Sequence, residues 1–102
     1  MGTSKNLHNR LVDFLIKKDI LFRNFEHVYL FGSTVKGCSR PHDIDLLLTY
    51  SVYRDDIISN SDLISSLFEQ EFAIPVDLTV LSREELERTH FLERINLYVV
   101  LK

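Results

Sequence analysis

The spacing of apolar residues changes several times along this chain, and each change marks an element. Leu7, Leu11, Phe14 and Leu15 recur at helical spacing, with Lys17 and Lys18 in the last turn, so residues 5–18 read as an amphipathic helix. A polar bend follows. The run His27-Val28-Tyr29-Leu30-Phe31 is rich in aromatic and β-branched residues and predicts a short strand. Residues 32–40 combine glycines with basic residues and predict a loop containing a short helical turn from Ser33. A second strand is expected over 43–50. Ile57, Ile58, Leu63, Ile64, Leu67 and Phe68 return to helical spacing across 55–70. A third strand is expected over 76–81. Ser82-Arg83-Glu84-Glu85 has the form of a capping box and opens a last helix expected to reach Ile95. Residues 97–101 predict a fourth short strand. This alternation gives an α/β or α+β fold: a small mixed sheet of three to four strands with helices packed on one side.

Three acidic residues interrupt the apolar pattern. Asp43 and Asp45 lie in the run His42-Asp43-Ile44-Asp45-Leu46-Leu47-Leu48, and Asp77 lies in Pro75-Val76-Asp77-Leu78-Thr79-Val80. Successive side chains on a strand point to opposite faces, so Asp43 and Asp45 share one face, with Cα atoms roughly 6.5–7 Å apart. Ile44, Leu46 and Leu48 take the other face, which reads as buried. Two carboxylates this close raise each other's pKa unless something offsets the charge. Mg²⁺ does so: it is hard, prefers oxygen ligands, and needs only one or two carboxylates plus substrate phosphates. If the strand carrying Asp77 lies beside the first, a third carboxylate joins, and two metals about 3.5–4 Å apart can clamp both oxygens of an in-line displacement. The structural alternative is that Asp43 caps the strand end while Asp45 pairs with Arg40 or Lys36.

Gly32-Ser33 follows the first strand and precedes a helical turn. Glycine lets backbone approach a phosphate closely and tolerates φ > 0. The Ser33 hydroxyl and free backbone N–H groups can bind phosphate oxygens, and Lys36 and Arg40 can add charge on the β- and γ-phosphates. Gly37 loosens the loop. A Gly-Ser pair alone more often marks a turn; followed nine residues later by Asp-x-Asp on a strand, it gains meaning.

Composition narrows the picture further. With 102 residues, 45% of them hydrophobic, the chain is expected to form one domain over 1–102 with its own core. A net charge of −3 gives no overall basic face, and no direct nucleic-acid binding is expected. The single cysteine, Cys38, excludes an internal disulfide framework and fits a reducing cytoplasm; no His or Asn stands out to make it a nucleophile. No apolar run approaches 18 residues, so no membrane span is expected. The N-terminus, Met1-Gly2-Thr3-Ser4-Lys5, lacks a signal-peptide core.

The order of these elements resembles the nucleotidyltransferase superfamily with the DNA polymerase β fold: a hydrophobic strand, Gly-Ser, a spacer, Asp-x-Asp, and a third Asp on a later strand. Here it reads Val28-Tyr29-Leu30-Phe31-Gly32-Ser33, nine residues, Asp43-Ile44-Asp45, then Asp77. The small size is similar to the minimal nucleotidyltransferase (MNT) branch. The resemblance implies that Asp43 and Asp45 ligate two Mg²⁺ ions and that Asp77 helps hold the catalytic metal and activates the acceptor hydroxyl. It also implies that Gly32 and Ser33 hold the triphosphate of an NTP attacked at its α-phosphate. Thr34 stands where many minimal members carry Arg, and His42 where many carry Ser; Lys36 is a partial match to a second basic position. These departures bear on rate and nucleotide choice more than on fold. MNT proteins often pair with a helical HEPN ribonuclease toxin, transferring AMP from ATP to its tyrosine and so acting as antitoxin.

The implied activity is therefore Mg²⁺-dependent transfer of AMP from ATP to a partner-protein hydroxyl, with a HEPN-type toxin as partner. A chain this short has little left from which to build an acceptor pocket, which independently favours a partner. Phe91, Leu92 and Tyr98 are either part of a docking surface or the completion of the core. The competing readings are nucleotidyl transfer to a small molecule, and a non-catalytic antitoxin that neutralises its partner by contact. RNA tailing is disfavoured by the acidic balance.

Overall fold

The computed structural model describes residues 7–35 and 43–102. Helices α1 (Leu7–Lys17) and α2 (Asp19–Phe22) lead into strand β1 (His27–Phe31) and a 3₁₀ turn, Gly32–Thr34. Strand β2 (Ile44–Tyr50), helix α3 (Asp56–Phe72) and strand β3 (Val76–Ser82) follow, then α4 (Arg83–Thr89), α5 (Phe91–Ile95) and β4 (Tyr98–Val100). The four strands form one mixed sheet in the order β3-β2-β1-β4. β1 runs antiparallel to both β2 and β4, whereas β2 and β3 are parallel. A parallel pair needs a long crossover, and α3 supplies it.

Strand alternation sorts β2 as the sequence requires. Ile44, Leu46 and Leu48 are fully buried and join Val28 and Leu30 of β1 in the main core. Leu11, Phe14 and Leu15 of α1, Phe22 of α2 and Ile57, Ile64, Phe68 and Phe72 of α3 close over that face. Phe14 is the hub, edge-on to Phe22, Phe68 and Phe72 at ring-centroid distances of 6.1, 5.4 and 5.7 Å. Each such fully buried ring contributes about 1.5–3 kcal/mol relative to exposure.

The helices are not confined to one face. Phe31, which faces away from the main core, meets the ring of Phe91 in α5 edge-on at 5.6 Å. On this second face Leu47 and Thr49 of β2 are also buried. Two further differences from the sequence reading have local causes. The polar bend after α1 contains the single-turn helix α2, too short to show a period. The last helix breaks at His90, which takes a left-handed conformation (φ +53°) and separates α4 from α5. The capping box forms as expected: Ser82 Oγ accepts from the Glu85 backbone N–H at 3.0 Å, and the Ser82 N–H donates to Glu85 Oε1 at 2.9 Å. Among the described residues no helix is long and apolar enough to cross a membrane.

Candidate active site

The register of the parallel pair sets Asp45 directly opposite Asp77, and that of the antiparallel pair sets Phe31 opposite Asp45. Cross-strand partners project to the same face. Asp43 immediately precedes β2, two positions from Asp45. Carboxylate oxygens of Asp43, Asp45 and Asp77 all lie within 4.8 Å of one another. The strand carrying Asp77 thus lies beside that carrying the Asp-x-Asp pair, which was the condition for a third carboxylate to join. No other group of three or more ligand-type side chains converges in this way among the described residues.

Burial and charge both act on Asp45. Desolvation is the larger cause raising its pKa above the ordinary carboxylate value, followed by the charge of Asp43, the charge of Asp77 and a side-chain hydrogen bond with Asp77. Three carboxylates converging on one point, with the central Asp45 held back from ionising, suit a small hard cation whose charge offsets the repulsion. The residues therefore fit a divalent ion such as Mg²⁺.

The turn after β1 is built against this cluster. Gly32 has φ +82°, in the region that disfavours side chains, and a Cβ there would lie 2.1 Å from Asp45 Oδ2. The glycine is required twice, by its backbone angle and by the carboxylate pressed on its Cα. The expected helical turn is the 3₁₀ turn Gly32–Thr34, closed by the Val35 N–H donating to the Gly32 carbonyl at 3.2 Å. Ser33 lies in this turn, one residue beyond the glycine. Lys36 and Arg40, the basic candidates, lie outside the described residues, as do Gly37, Cys38 and His42.

The sequence reading passed over Phe31 as a neighbour of the site. Its signal was present: Phe31 immediately precedes Gly32, and the only missing piece was the register that places it opposite Asp45. Of the C-terminal apolar residues, Phe91 and Leu92 are half-buried. Tyr98 is 38% exposed while making an edge contact with Tyr29 at 5.4 Å.

A mixed sheet with a Gly-Ser turn after β1, Asp43 just before β2, Asp45 on β2 and Asp77 on β3 is an arrangement whose fold is shared with solved nucleotidyltransferase structures. No protein-family model matches the chain, and no curated protein matches it in sequence. Solved structures do. A complex of a tri-AMPylated HEPN toxin with MNT antitoxin from Shewanella oneidensis contains a chain aligning with TM-score 0.61 and 16% identity over 94% of this chain and 72% of that one. A toxin–antitoxin structure with AMP-PNP aligns with TM-score 0.64 and 17% identity, covering 95% and 73%. A candidate nucleotidyltransferase from Sulfolobus solfataricus aligns with TM-score 0.57 and 23% identity, covering 98% and 89%. At these identities the likeness is one of fold.

Proposed function

We propose that this chain is a Mg²⁺-dependent nucleotidyltransferase that moves AMP from ATP to a hydroxyl, of the tyrosine type, on a HEPN-type helical toxin, and so acts as its antitoxin in the cytoplasm. The convergence of Asp43, Asp45 and Asp77 beside the Gly32 turn carries this reading. The complexes of similar fold, one with an AMPylated toxin and one with AMP-PNP, support it.

In this reading the acceptor oxygen attacks the α-phosphorus, a new P–O bond forms, and the bond to the bridging oxygen of the β-phosphate breaks to release pyrophosphate. Asp77 accepts the hydroxyl proton at its carboxylate. Asp43 and Asp45 hold the metal, with Asp77 contributing, and Mg²⁺ when bound supplies charge neutralisation at the phosphates. Gly32 and Ser33 receive the triphosphate, with Lys36 and Arg40 assigned to its outer phosphates from the sequence. Gly32 serves by having no side chain, which lets the turn lie directly against the Asp45 carboxylate.

The test is transfer of label from α-phosphate-labelled ATP with Mg²⁺, using the product of the neighbouring gene as acceptor. Label is expected on that protein, and Asp43→Ala or Asp45→Ala is expected to abolish it. A tight complex without label would replace this reading with neutralisation by contact.

A further inference from the structure

The register that pairs the two carboxylates extends across the whole sheet. Asp77, Asp45, Phe31 and Tyr98 are successive Cα partners on β3, β2, β1 and β4, so their side chains form one row on the second face. The row changes character at its centre, with carboxylates on two adjacent strands and aromatic rings on the other two. Neighbouring strands lie about 4.8 Å apart. Phe31 is therefore one strand from the Asp45 carboxylate, and Tyr98 two. Phe91 supports the aromatic half by meeting Phe31 edge-on, with planes at 85°.

Completion of the core does not account for this half of the row. Tyr98 covers Tyr29, which is 8% exposed, yet remains 38% exposed itself. Resting on the reading of the acidic cluster given above, we propose that Phe31, Tyr98 and Phe91 form a ledge on which the nucleobase of the bound triphosphate stacks. In-line displacement sets the attacking and leaving oxygens on opposite sides of the α-phosphorus. Asp77, on the edge strand, takes the acceptor side, and the Gly32 turn takes pyrophosphate. The nucleoside is the remaining substituent, and the aromatic side chains next to the carboxylates along this row are Phe31 and Tyr98. Every base presents a π-face, so the ledge supplies affinity more than choice among bases.

The experiment compares Mg²⁺-dependent binding of AMP-PNP and of inorganic tripolyphosphate, which lacks the base, to the whole chain. Tyr98→Ala and Phe91→Ala are expected to weaken AMP-PNP roughly tenfold, within the range for losing one stacking ring, and to leave tripolyphosphate unchanged. Tyr98→Phe retains the ring and is expected to retain affinity. Leu97→Ala, at an exposed position beside Tyr98 and outside the strand that carries the row, serves as the control that changes neither ligand. Unchanged AMP-PNP binding in both alanine variants overturns the ledge. So does a rise in KM for the acceptor protein with AMP-PNP affinity intact, which would give the aromatic half to the acceptor. If the unaltered chain bound neither ligand, the fault would lie with the acidic cluster itself, and the ledge would fall with it.

Discussion

Asp45 sits at the point where the site costs stability. Its folded-state pKa is raised, so above the ordinary carboxylate value of 3.8 the native protein holds a proton that the unfolded chain releases. Stability then falls as pH rises through that window, because the native state binds more protons than the unfolded one. Asp45→Asn removes the titration together with one of two like charges facing each other across adjacent strands, an arrangement that costs roughly 0.2–1 kcal/mol. Without divalent cations the variant is expected to melt about 1–6 °C higher at neutral pH, with the gain shrinking as pH falls toward 4. Melting curves at several pH values check this, and parallel curves for the two proteins would remove Asp45 as the source. The two-residue spacing of the Asp pair was legible because side-chain alternation is a local property of a strand. The closeness of Asp77 was legible only through the family resemblance, because it depends on which strand becomes the neighbour of β2.

Among the elements, β1 was readable to the residue, since His27–Phe31 is bounded by polar Glu26 and by Gly32. α3 ran two residues past its expected end and stopped at Ala73, which adopts φ +56° without being glycine. His90 ends α4 in the same way, and neither residue type signals a stop. α4 contributes no fully buried residue, so it depends on its ends. Ser82 caps it, and Arg83 pairs with Glu26 beyond β1. Ser82→Ala is expected to cost about 1 kcal/mol and to speed hydrogen exchange at the Glu85 amide well before exchange in β2 changes. Equal acceleration throughout the sheet would mean that α4 and the sheet open as one unit.

At the scale of the whole molecule, α1, α2 and α3 stabilise one face of the sheet, and the acidic cluster lies on the other. The site draws on β1, β2 and β3 together, so metal binding should act on global unfolding. If the three carboxylates hold Mg²⁺ only when folded, each approach to saturation adds stability by mass action, about 2.7 kcal/mol at a hundred times Kd. Thermal melting is therefore expected to rise with Mg²⁺ in the unaltered chain and much less in Asp45→Asn; equal rises in both would detach the ion from this cluster. The fold class was open to sequence reasoning because periodicity reports burial, whereas the packing of Gly32 against Asp45 was visible only once the strands were aligned. That packing also gives the protein's history a direction. While Asp45 is present, no side chain fits at position 32. Were Asp45 replaced by alanine in some lineage, the 2.1 Å clash with Oδ2 would be gone while the φ of +82° remained, so only residues that tolerate that backbone angle, such as asparagine, would enter position 32. An aspartate returning to position 45 would then find its place filled, so a lineage that had admitted such a residue would recover this packing only by reversing both changes.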